Sequence, residues 1–193
     1  MFPLLGWLGA AVFLTVGAYG VARLAAAARA PRYTGRHRAV DVAHVLMGSG
    51  MAVMVSPVGG PLPMAAWQTA FVLVAAWFLG TWAHERRHPE PPIGWHGSAP
   101  HHALGALAML YMLVAVPHAP SVSAAAWMPA HSGEAALPAL GWLLIALLAA
   151  GAVPLVRALA CPASPDLLLC RRRAACAQLA MTGGMAAMLV GLL

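Results

Sequence analysis

Residues 44–54 read HVLMGSGMAVM, one histidine and three methionines at spacings of three, four and three among small apolar residues. Two further stretches repeat the arrangement: residues 102–112 read HALGALAMLYM and residues 178–188 read QLAMTGGMAAM. Aligned on the methionine pair, all three share one pattern: His or Gln, six residues, Met, two residues, Met. Met47 and Met181 add a thioether four residues before the pair, where the middle stretch has Gly105. An α-helix turns about 100° per residue, so offsets of 0, 3, 7 and 10 fall within a sector of about 80°. Each stretch is therefore predicted to be a helix with the whole set on one face.

These stretches lie in three of six apolar spans, at about 4–28, 40–57, 64–83, 101–117, 137–159 and 174–193. Most approach the roughly 20 residues that cross about 30 Å of hydrocarbon; the second and fourth are shortest. The chain is 62% hydrophobic and 8% charged, with a mean hydropathy of +0.78. That is too apolar for a soluble domain of this length. The predicted fold class is all-α. One polytopic membrane domain over 1–193 would contain six transmembrane helices, as three helical-hairpin repeats at about 4–57, 64–117 and 137–193. The second helix of each hairpin carries a stripe, and these even helices form a central trio.

All 11 basic residues are arginine. Arg29, Arg32, Arg36 and Arg38, then Arg86 and Arg87, then Arg171, Arg172 and Arg173 occupy alternate loops, with Arg23 and Arg157 at the same ends. The positive-inside rule puts those loops in the cytoplasm of a plasma-membrane protein and both termini outside. The first span has no basic residue before it, so it reads as a retained anchor rather than a cleaved signal. The pI near 10.3 then reflects topology and contact with lipid headgroups rather than nucleic-acid binding. Cys161, Cys170 and Cys176 fall in or near the last cytoplasmic loop, where thiols stay reduced. Trp7, Trp67, Trp77, Trp82 and Trp142 decorate the odd spans, several as interfacial anchors.

Thioether sulfur and neutral imidazole favour Cu(I), whereas hard ions need carboxylates and structural zinc prefers thiolates. The candidate metal ligands are His44, Met47, Met51, Met54, His102, Met109, Met112, Gln178, Met181, Met185 and Met188. Neutral donors leave the ion's charge uncompensated, which suits weak binding and passage. Asp41, one turn before His44, would orient the imidazole or end the helix at the interface. His84 and His88, at i and i+4, with His101 and His96 nearby, form a candidate cytoplasmic relay; solvated interfacial histidines are the plainer reading. His118, Met128 and His131 are a weaker external entry. Gly48, Ser49 and Gly50, with Thr182, Gly183 and Gly184, would let backbones approach closely.

Two other classes remain open at this level. His44 and His102 on parallel helices could ligate a haem for membrane electron transfer, or the stripes serve only to pack helices in a non-catalytic subunit. No nucleophile-elbow, P-loop, zincin or dinucleotide motif is present, which favours binding or transport over catalysis. The expected partners are the bilayer and a membrane or copper-handling protein.

The segments DVAHVLMGSGMAVM, HHALGALAMLYM and CAQLAMTGGMAAM, with the six-span layout, resemble a family of actinobacterial integral membrane proteins classed as a domain of unknown function. The resemblance implies a plasma-membrane location and supplies no activity. The M-x-x-x-M spacings Met47 to Met51 and Met181 to Met185 are similar to those of membrane copper proteins that commonly trimerise, whereas here one chain supplies three stripes.

Overall fold

The computed structural model describes residues 3–27, 35–56, 61–88, 99–115, 137–160 and 170–193. They form six helices: α1 (Pro3–Ala27), α2 (Gly35–Val55), α3 (Met64–Arg87), α4 (Ala99–Ala115), α5 (Pro138–Leu159) and α6 (Arg171–Leu192). Five are long and apolar enough to cross a membrane; α4, with 17 residues, is the short one. Each apolar span has become a helix, but α2, α3 and α6 run several residues past the apolar limits. Hydropathy marks the hydrocarbon, while a helix continues wherever its own backbone bonds stay closed. Asp41 accordingly does not end α2, which begins six residues earlier at Gly35.

Each odd helix packs most extensively on the even helix that follows it, and α2, α4 and α6 also touch one another. Small residues set these approaches. On α2, a Cβ added to Gly48 would stand 2.9 Å from the Phe13 carbonyl oxygen and 3.2 Å from the Gly17 nitrogen of α1. Gly9 faces Val55, and Gly20 faces the Asp41 carbonyl, so α1 and α2 run antiparallel in near backbone contact. Gln68 of α3 bonds to the Leu113 carbonyl of α4, and Gly141 of α5 meets Leu193 beyond α6, so these pairs are antiparallel too.

The even helices run parallel. His44 lies beside His102, and some six residues farther along Gly50 meets Met109. On α6, Gln178 shares a cavity with His44 and Gly184 meets Met51. The core consists of these inner faces with Phe13, Phe71 and Phe78 from the odd helices. Trp7, Trp77, Trp82 and Trp142 are exposed on the outside as lipid anchors would be, whereas Trp67 is buried and stacked on Phe71.

Candidate metal centre

The inner helices first meet in a layer that carries nitrogen. The His44 and His102 ring centroids are 5.1 Å apart, with the planes tilted by 57°. Both residues are buried, as is Gln178, which faces His44 across a small cavity also lined by Tyr19, Arg23 and Asp41. Phe78 of α3 stacks on His102 at 4.9 Å.

Asp41 anchors this layer. Arg23 Nε donates to its carboxylate, at 3.0 Å from Oδ1 and 3.1 Å from Oδ2, and both side chains are almost fully buried. The Arg23 guanidinium also lies over the Tyr19 ring, 5.7 Å from its centroid. Arg23, at the loop end of α1, is thus also half of a buried ion pair. Asp41 Oδ1 is 3.8 Å from His44 Nδ1, too far for a hydrogen bond. The other nitrogen, His44 Nε2, is buried without a hydrogen-bond partner. An unsatisfied atom of this kind costs about 1–3 kcal/mol.

One turn along, thioethers take over. A Cβ on Gly105 would lie 3.5 Å from Met47 Sδ and 3.4 Å from Met185 Cε, so the space that glycine leaves on α4 is filled by sulfur-bearing chains from α2 and α6. Farther on, Met109 Cε would be 3.1 Å from a Cβ on Gly50, and Met51 Cε 2.8 Å from one on Gly184. Helical side chains lean toward the N-terminus, so Met109 and Met51 each land one residue before their aligned counterparts, Met51 and Met185. Met47, Met51, Met54, Met109, Met112, Met181 and Met185 are buried; Met188 is partly buried. The stripes thus converge as a closed, interdigitated column.

The proposed relay residues divide. His84 and His88 are exposed, with rings 4.8 Å apart at the end of α3. His101 is buried, with Nε2 3.0 Å from Thr182 Oγ1 of α6. Cys170 is buried and Cys176 exposed. His96, His118, Met128, His131 and Cys161 lie outside the described residues. Sequence reasoning missed the ion pair, although its signal was present: an arginine inside span one and an aspartate inside span two of the same hairpin. The packing of Phe78 on His102 and of Thr182 on His101 had no such signal.

Among the described residues, no group of three or more His, Cys, Asp or Glu stands together as a metal cage. A metal here would have to combine the imidazole pair with methionine sulfur, a set that fits a soft monovalent ion. Metal–nitrogen bonds of about 2 Å are compatible with one ion bridging rings this close. The same closeness does not fit axial ligation of a haem, whose macrocycle must pass between the two imidazoles.

No curated protein and no solved structure matches the chain. A family model described as a Domain of unknown function (DUF5134) matches residues 36–192, from the first turn of α2 to the end of α6, and the chain belongs to that family.

Proposed function

We propose that this protein binds Cu(I) within the bilayer at His44 and His102, with Met47 one turn along α2, and passes it along the methionine column. The observation that carries this reading is His44 Nε2, a buried nitrogen without a hydrogen-bond partner, on a ring 5.1 Å from a second imidazole. The unbranched thioether of methionine can change rotamer at little cost, which suits a column that must part and close again. When bound, the ion would supply the positive charge that moves; the chain's own work is to desolvate it, hold it with neutral donors and release it. Arg23 and Asp41 cancel each other's charge, so the site keeps no net anion to trap a cation.

In the same reading the three hairpins are repeats of one unit around a pseudo-threefold axis, each with its stripe on the second helix. The arginine-rich ends of α3 and α6 lie in the cytoplasm at the plasma membrane, by the positive-inside rule. His84 and His88 then sit on the cytoplasmic face, where an i, i+4 pair can pass metal to or from a copper-handling partner.

The test is Cu(I) affinity of the purified protein, measured by competition with a colorimetric Cu(I) chelator. Changing His44 and His102 together to alanine should weaken binding by about 100-fold or more, since losing even an outer-shell partner of a metal ligand costs about 10- to 100-fold. Changing Met51, Met109 and Met185 together to leucine roughly conserves volume and should leave the folded yield intact while slowing Cu(I) flux into vesicles. Wild-type affinity in the double histidine variant would rule the centre out.

A further inference from the structure

Two phenylalanines of the outer helices reach into the methionine column at equivalent places. Phe13 and Phe71 stand at the same sequence interval as His44 and His102, and as Met51 and Met109. The buried Phe71 ring passes from α3 to α2, where its Cζ would be 2.7 Å from a Cβ on Gly50. Met109 Cε of α4 comes to the same notch, 3.1 Å from that Cβ. The Phe13 ring passes from α1 to α6 and fills the notch at Gly184, where Met51 Cε of α2 would be 2.8 Å from a Cβ. Each of the first two hairpins thus seats one ring and one thioether together against a glycine of a neighbouring inner helix.

The third hairpin lacks both halves of this arrangement. α5 carries no phenylalanine, and the position on α4 that matches Gly50 and Gly184 is the fully buried Ala108. Met185 instead reaches Gly105, one turn nearer the imidazole pair, beside Met47. Ring and notch are present together or absent together.

A thioether alone changes rotamer easily, whereas a phenyl ring packed in a closed notch leaves only when the helix behind it moves. The Phe13 backbone is itself clamped, its carbonyl oxygen 2.9 Å from a Cβ on Gly48. We propose that Phe13 and Phe71 are latches that hold Met51 and Met109 in the closed column, which parts only when the rings shift. Met185, whose hairpin supplies no ring, is the thioether left to swing toward the imidazole pair. The inference rests on reading the column as the ion's path. Within that reading the phenylalanines are positioning residues that act on the thioethers and make no contact with the ion.

The test truncates each ring to leucine, which stays apolar but lacks the reach, in full-length protein in copper-free phosphatidylcholine nanodiscs. Brief peroxide treatment and peptide mass mapping then follow each methionine separately. Phe71→Leu should speed oxidation of Met109 about tenfold and leave Met51 near its wild-type rate, because trimming one buried ring eases a local opening by about that factor. Phe13→Leu should do the reverse. Phe78→Leu, the same truncation over His102, should change neither. In vesicles, the double variant Phe13→Leu with Phe71→Leu should pass Cu(I) about tenfold faster than wild type, since passage waits on the same opening, with unchanged affinity in chelator competition. A merely structural loss would lower yield or affinity and would not raise flux. No rise in oxidation, or an equal rise at Met51 and Met109 in each single variant, would overturn the latches. The paired pattern with flux unchanged or slowed would overturn their control of passage. Wild-type protein that neither binds nor passes Cu(I) would overturn the copper reading alone, the oxidation pattern still deciding the latches.

Discussion

Replacing Arg23 by methionine should destabilise the bundle by about 3–5 kcal/mol, the cost of removing one partner from a buried ion pair. Methionine keeps the length of the apolar stem, so lost packing contributes little. The cost arises because the Asp41 carboxylate stays buried at 1% exposure after the guanidinium 3.0 Å away is gone. For a chain of this size the change corresponds to a fall in melting temperature of about 6–20 °C. Thermal unfolding of purified protein in one detergent checks it. The double change Arg23→Met with Asp41→Leu should recover most of the loss, because replacing both partners by apolar groups is often neutral. A double variant as unstable as the single one would show that the pair's mutual attraction is not the source.

Changing Gly48 to leucine should cost about 3 kcal/mol or more, at the upper end of overpacking penalties. Its side chain would enter the contact between α1 and α2, where even a Cβ meets the Phe13 carbonyl oxygen at 2.9 Å and the Gly17 backbone at 3.2 Å. Neither atom can swing aside as a side-chain tip does, so the two helices must separate. Gly183→Leu is the matched control: nothing lies within 4 Å of a Cβ there and the residue is exposed, so its effect should stay within about 0.5 kcal/mol. Parallel melts of the two variants give the comparison, and similar losses would contradict the backbone contact.

Much of this architecture was legible because membrane helices obey few rules. Six apolar runs became six helices, and a 3.6-residue period placed the stripes on the buried faces. The convergence of Met47, Met51, Met109 and Met185 also followed from spacing, since matched offsets on parallel helices reach matched depths. Partnerships across helices were less legible. An arginine inside span one and an aspartate inside span two of one hairpin signal a pair, but the packing of α1 on α2 is what brings Arg23 to Asp41. His101 and His102 are adjacent in sequence, yet one turns to Thr182 and the other to His44 and Phe78. Neighbouring residues on a helix diverge by about 100°, so adjacency in the sequence does not put His101 and His102 on the same partner.

The interdigitated thioethers also bear on oxidative damage. Sulfoxide formation needs a peroxide molecule at the sulfur and then leaves a polar group behind, and Met51, Met109 and Met185 are at most 2% exposed. Among the described methionines, brief peroxide treatment should therefore mark Met64 and Met188, which are only partly buried, before it reaches the column; peptide mass mapping reads the order. A chain built around such easily spoiled atoms keeps them reduced by leaving the oxidant no room.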